Sequence, residues 1–208
     1  MKQNNKEQCS FKVIGVTGGV GSGKSLVMQI LKEDFKGAVI LSDLVAHELM
    51  EPGAANYQAI LETFGGDILD EDGKIDRGKL GSLVFDNADL LSRLNQITHP
   101  NVICEIRNRI EEYRQSGEFP FVAMESALLV GSGLEEEMDS LWYVQVADEV
   151  RIQRLMDNRG YTREYAESII ARQKPDEYYR EHCDVVIDNS GSVEGTREQV
   201  EQELGRLL

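Results

Sequence analysis

The densest chemistry in the chain lies in one run, Gly18-Gly19-Val20-Gly21-Ser22-Gly23-Lys24-Ser25. It fits the phosphate-binding pattern G-x-x-x-x-G-K-[ST] without a mismatch. Gly18, Gly19, Gly21 and Gly23 let the main chain adopt angles closed to other residues and approach a ligand closely. The N–H groups of such a loop form a nest for an anion, reinforced by the positive end of the helix that follows. Lys24 brings a full positive charge toward the β- and γ-phosphates. The Ser25 hydroxyl suits Mg²⁺, a hard cation that prefers oxygen and keeps most of its waters. A turn that merely joined a strand to a helix would not need Gly-Lys-Ser at this spacing. The run therefore implies a nucleoside triphosphate site.

Other residues could complete such a site. Asp43 follows a short apolar run and could accept or orient the hydroxyl of an acceptor, or equally serve as a helix N-cap. Arg151, Arg154, Arg159, Arg163 and Arg172 cluster late in the chain, and guanidinium forks match the charge that phosphoryl transfer spreads over oxygen. About half of these five are expected on exposed helix faces, with Arg163 and Glu167 as an i,i+4 pair; Arg154 and Arg159 are the functional candidates. Asn158-Arg159-Gly160-Tyr161-Thr162, between two helical stretches, reads as part of a lid spanning about 154–175. Asp76-Arg77 and Thr98-His99-Pro100 fall in a helical insert of about 44–115. There Arg77 could meet an anionic group, while His99 reads equally as a helix-end or core histidine.

Positioning these residues requires alternating strands and helices. Phe11–Thr17, Ala38–Leu41, Phe119–Met124, Leu141–Val146 and Asp184–Asn189 read as five buried strands. Helices are expected over 25–35, 44–50, 56–64, 78–85, 88–113, 150–156, 163–172 and 193–208, with a break at His99-Pro100 and Ser192 capping the last. The pattern predicts an α/β three-layer fold with a five-stranded parallel sheet, a helical insert and a small lid. Ligands in such folds lie beyond the carboxyl ends of the strands, where the glycine loop, Asp43 and Glu125 fall. The acidic stretch Asp67–Lys74 lacks the ligand spacing of a calcium loop and reads as a solvated connection.

Composition narrows the function further. The chain has 208 residues and 41% hydrophobic content, enough for one domain over 11–208 after a polar leader at 1–10. With 37 acidic against 22 basic residues, its formal charge of -15 argues against a nucleic-acid surface. No run is long and apolar enough for a membrane span, and the leader lacks the apolar stretch of a signal peptide. Cys9, Cys104 and Cys183 are scattered and form no C-x-x-C pair, so reduced thiols and a cytoplasmic setting are expected.

Taken in order, several stretches resemble the dephospho-CoA kinase family. They are Val16 through Ser25; Ser42-Asp43-Leu44-Val45-Ala46 with Glu51-Pro52-Gly53; Ile75-Asp76-Arg77 with Leu80, Val84 and Phe85; Thr98-His99-Pro100; Leu128-Leu129; and Asp184 to Asn189 with Gly191. The resemblance covers the chain from about Phe11 onward. It implies a P-loop kinase that transfers the ATP γ-phosphate to the 3′-hydroxyl of dephospho-CoA, the last step of coenzyme A synthesis. By resemblance, Asp43 becomes the base or hydroxyl orienter, with Lys24 and Arg154 also catalytic. ATP would be held by Gly19, Val20, Gly21, Ser22, Gly23, Lys24, Ser25, Leu26, Arg159 and Asn189. The acceptor would meet Asp43, Arg77, His99 and Glu125, and Mg²⁺ would meet Ser25. ATP and dephospho-CoA are the implied partners, with no nucleic acid or membrane, and the chain a monomer or weak homo-oligomer.

The chain departs from the family pattern at several points. Leu26 stands for the usual threonine, so a hydroxyl contact to the α-phosphate is lost and a backbone N–H is expected to remain. Leu41 stands for the first aspartate of D-x-D, Gly131 for a glutamate, and Asn158-Arg159 for Arg-Asp or Arg-Asn. Lys24, Ser25 and Asp43 are unaffected. A kinase for another small acceptor or a non-catalytic relative remain alternatives; a GTP-binding switch would want an N-K-x-D stretch, which the sequence lacks.

Overall fold

A computed structural model describes residues 11–85, 87–127 and 129–208. The leader at 1–10 and Leu128 lie outside the described residues. Five strands, β1 (Lys12–Thr17), β2 (Ala38–Leu41), β3 (Phe121–Glu125), β4 (Ser140–Gln145) and β5 (Val185–Asp188), form one sheet in the order β2-β3-β1-β4-β5. All are parallel, with Gly15 opposite Met124 on one side and Leu141 on the other. A parallel sheet is covered on both faces, and its strands are accordingly apolar throughout. Val13, Ile14, Val16, Phe121, Val122, Ala123, Trp142, Val144 and Ile187 are fully buried.

The strand ends are pinned by carboxylates. Asp139 Oδ2 accepts from Val13 N at 2.8 Å, and Asp184 Oδ2 accepts from Leu141 N at 2.8 Å. These bonds satisfy main-chain donors where the ladders begin. Nine α-helices complete the described chain: α1 (Lys24–Glu33), α2 (Ser42–Glu48), α3 (Tyr57–Phe64), α4 (Arg77–Phe85), α5 (Ala88–Ser116), α6 (Asp148–Arg159), α7 (Arg163–Ala171), α8 (Asp176–His182) and α9 (Val193–Leu207). Ser192 caps α9 as expected, its Oγ accepting from Gly195 N. Thr162 caps α7 in the same way.

The chain divides into two compact units, Met1–Ile40 with Glu112–Leu208, and Leu41–Glu111. The first holds the sheet. The second has its own core of Ile60, Ile68, Ile75, Leu80 and Val84, with Tyr57, Phe64 and Leu94 packed against it.

One expectation is corrected here. Pro100 does not interrupt the long helix; α5 runs through it unbroken. A proline in a helix interior costs about 3 kcal/mol in lost hydrogen bonding and steric conflict. The helix persists because buried residues lie on both sides, Thr98 before the proline and Ile106 and Ile110 after it. Side chains also support nearby carbonyls: Thr98 Oγ1 donates to Leu94 O at 2.9 Å, and Asn101 Nδ2 donates to Ile97 O at 3.3 Å and to the buried Asn56 Oδ1 at 2.6 Å.

Candidate active site

The glycine loop joins β1 to α1 at the carboxyl end of the central strand. Helix α1 begins after Gly23, which has φ +87° and offers no side-chain cap. Its first-turn donors therefore lack the side-chain oxygen that Ser192 supplies to α9, the condition an anion site requires. Gly23 also cannot bear a side chain for reasons of space, because a Cβ would collide with Asn189 Nδ2.

Around this loop the side chains form two groups. Beneath it, Asn189 is buried at the end of β5 and donates from Nδ2 to Ser22 O at 2.8 Å, while its Oδ1 accepts from Thr196 Oγ1 at 2.9 Å. Arg154 of α6 donates to Asn189 O at 2.9 Å and to Ser22 O at 3.4 Å. Both residues thus hold the loop through its Ser22 carbonyl.

On the other side, Lys24 Nζ donates to Gly18 O at 2.9 Å and to Gly19 O at 3.4 Å, and lies 3.5 Å from Glu125 Oε1 at the end of β3. The ammonium is folded over the loop and held between main-chain oxygens and a carboxylate. Thr17 Oγ1 and Ser22 Oγ are buried without a hydrogen-bond partner. Buried polar atoms of that kind call for an explanation, and a bound ligand can supply it.

Arg151 is the arginine of α6 that reaches the loop from the Gly19 side. It is buried, and donates from Nε to Val20 O at 3.0 Å and from Nη1 to Asp148 Oδ1 at 3.0 Å, with Nη2 bonded to Gln173 Oε1. Val20 packs against the α6–α7 pair through Ile152, Leu155 and Ala166. Arg159, by contrast, is exposed at the last position of α6, before Gly160 in the left-handed conformation. Arg163 pairs with Glu149 through its two terminal nitrogens, Nη1 and Nη2, and lies 3.6 Å from Glu167. Ser25 is exposed on the first turn of α1. Leu26 N donates to Gly23 O at 3.0 Å, so the main-chain donor expected to stand in for the lost threonine hydroxyl is already engaged.

The second unit carries the remaining candidates. Asp43 is exposed in the first turn of α2; the N-cap is Leu41, so Asp43 does not cap the helix. One turn on, His47 faces Arg77, whose Nη1 lies 2.7 Å from Nδ1 and 2.8 Å from Nε2. Burial and the Arg77 charge hold the His47 pKa below its ordinary value, against the opposing pull of Asp43. His47, Met50, Glu51, Ile75 and Arg77 line a small cavity of about 140 Å³. His99 is exposed and lines a shallow groove along α5 with Leu91, Asn95 and Pro100.

Sequence reading missed two of these residues, His47 and Gln173, and named a third, Arg151, without preferring it. His47 carried one signal, a position four residues after Asp43 on the same helix. Arg151 stood among five arginines with nothing to single it out. Gln173 carried no signal at all.

Among the described residues, no three His, Cys, Asp or Glu side chains could together hold a metal ion, and no helix is long and apolar enough to cross a membrane. Cys104 is exposed and Cys183 half-buried, both free, with burial and then Asp184 pushing the Cys183 thiol up to about 11.

A lysine-bearing glycine loop at the carboxyl end of the central strand of a parallel sheet, with arginines from a later helix reaching it, defines a P-loop kinase. The family model CoaE: Dephospho-CoA kinase matches residues 12–195, and the chain belongs to the dephospho-CoA kinase family. It is 45% identical over 188 residues to the dephospho-CoA kinase of Carboxydothermus hydrogenoformans, with 90% of each chain covered. The crystal structure of TT1252 from Thermus thermophilus superimposes with a TM-score of 0.77 at 29% identity, covering 95% of this chain and 98% of that one. Dephospho-CoA kinase from Campylobacter jejuni shares the fold, with a TM-score of 0.64 at 23% identity over 95% and 98% of the two chains.

Proposed function

We infer that the chain transfers the γ-phosphoryl group of ATP to the 3′-hydroxyl of dephospho-CoA, giving CoA and ADP, the last step of coenzyme A synthesis. Family membership supplies the acceptor. The observation that carries the chemistry is the Lys24 ammonium, held 2.9 Å from Gly18 O and 3.5 Å from Glu125 at the uncapped start of α1.

Incoming phosphate oxygens compete with those weak partners for the ammonium, since a polyphosphate offers more charge than one carboxylate and two carbonyls. The Lys24 and Ser25 amides at the start of α1 take further phosphate oxygens, and Arg154 keeps the loop in shape through Ser22. Gly19 through Leu26 are assigned to ATP, with Asn189 acting through the loop and Arg159 at the exposed end of α6. Mg²⁺ fits the exposed Ser25 hydroxyl, a hard oxygen donor, and when bound with ATP neutralises phosphate charge. Asp43 is assigned to accept or orient the acceptor hydroxyl. Arg77, His99 and Glu125 are assigned to acceptor contacts, and the 44–115 and 154–175 stretches to the acceptor lobe and lid. A cytoplasmic monomer or weak homo-oligomer fits this role.

The reading is tested with a 3′-deoxy analogue of dephospho-CoA. Mass spectrometry should show one added phosphoryl group on dephospho-CoA and none on the analogue. Phosphorylation of both would place the transfer on another hydroxyl.

A further inference from the structure

The oxygen of one side chain occupies a place in the phosphate loop that has the character of an anion site. Gln173 lies between α7 and α8, and its Oε1 accepts from Val20 N at 3.1 Å. The same Oε1 accepts from Arg151 Nη2. A main-chain amide of a glycine loop and a guanidinium therefore converge on a single oxygen. That donor pair is the combination that binds phosphate oxygens in loops of this kind.

The pair is built rather than incidental. Arg151 is 6% exposed, and its other nitrogens are fixed on Val20 O and Asp148. Gly19 is the residue over which it lies, and a Cβ there would stand 2.6 Å from Gln173 Oε1 and collide with the guanidinium. Gln173 itself borders two cavities, one of about 370 Å³ lined also by Gly18, Gly19 and Lys174, and one of about 380 Å³ lined also by Asp148 and Arg151, so a charged group can approach the carboxamide and the guanidinium. A neutral carboxamide oxygen is a weaker acceptor for a guanidinium than a phosphate oxygen, so an arriving phosphate can replace it.

We propose that Gln173 is a latch, its carboxamide oxygen standing in for a phosphoryl oxygen at Val20 N–H and Arg151 until nucleotide displaces it. The proposal rests on the kinase reading above. Displacement frees the Arg172–Lys174 segment from the loop and presents the Arg151 Nη2 donor to the phosphate. Part of the binding energy of ATP is spent on breaking the latch, so the intact chain binds ATP more weakly than one without it.

Titration calorimetry with ATP and Mg²⁺, without acceptor, tests this on the full chain and on Gln173→Ala. The variant should bind ATP about three- to tenfold more tightly, the scale of one or two exchanged hydrogen bonds. A residue that merely supported the loop would give the opposite sign. Unchanged or weaker binding, at an unaltered unfolding midpoint, overturns the latch. Should Gln173→Ala fail to fold, Gln173→Met removes the acceptor at nearly constant length, and the same comparison decides. Absence of ATP binding by the wild-type chain would overturn the kinase reading itself, whereas a wild type that binds beside a variant that binds no tighter overturns the latch alone.

Discussion

Asn189 and Ser22 are 167 residues apart in the chain and joined by one hydrogen bond, from Asn189 Nδ2 to Ser22 O at 2.8 Å. It ties the last strand of the sheet to the middle of the phosphate loop, in a buried setting where a lost partner is not replaced by water.

Asn189→Asp should therefore be more damaging than its size suggests. It sets a carboxylate oxygen against the Ser22 carbonyl, and a buried polar group left facing a like one costs about 1–3 kcal/mol. Chemical denaturation should show that loss, with weakened ATP binding by calorimetry. Gly23→Ala should act on the same contact from the other side, since its Cβ collides with Asn189 Nδ2 at a φ of +87°. Wild-type stability in either variant would show that the bond carries nothing.

The arginines of α6 should separate in a stability measurement without ligands. Arg151→Ala removes a buried side chain bonded to Val20, Asp148 and Gln173, and should cost about 1–3 kcal/mol. Arg159→Ala, at an exposed helix end, should stay within about 0.5 kcal/mol of wild type. Equal effects would contradict the placement of the two residues.

Pro100 interrupts no helix but leaves one without a main-chain N–H donor at its position. Pro100→Ala should stabilise the chain by about 1–3 kcal/mol, because alanine restores the missing N–H donor and removes the ring conflict. A lower unfolding midpoint would mean that the ring itself is needed by the packing around it. Activity is expected to fall even as stability rises if the proline shapes the surface around His99, and acceptor KM would report it.

His47 should make stability depend on pH. Its folded pKa lies below the ordinary value, through burial first and then Arg77. Between that lowered pKa and about 6.5 the unfolded chain binds more protons, so stability rises with pH across this window. The contribution is full above about 6.5 and is lost as pH falls through the folded pKa. His47→Gln should flatten this part of the profile in denaturation from pH 7 to pH 5, and an unchanged slope would contradict it.

Most of the fold could be read from sequence because its signals are local. The five strands are short apolar runs, and the loop glycines and Lys24 sit at fixed spacing. Ser192 caps α9 because a serine before a helix does so wherever the helix lies. What escaped reading depends on distant partners. Helix α8 is seven residues long and buries only Tyr179, too little for a periodic pattern. Gln173 matters because Val20 and Arg151 come to it across 153 and 22 residues. Pro100 misled because a proline reports the local cost of a helix and not the burial of Ile106 and Ile110 that offsets it. Asp43 was ambiguous for the opposite reason: the capping reading is local, and only the start of α2 at Ser42, with Leu41 as its N-cap, removes it.

The most direct measurement is ADP release by the purified chain with ATP and Mg²⁺, with and without dephospho-CoA. Release that requires dephospho-CoA, with CoA identified by mass and both lost in Lys24→Ala, is the result expected of a kinase working through this loop. ADP release independent of dephospho-CoA, or undiminished in Lys24→Ala, would contradict it.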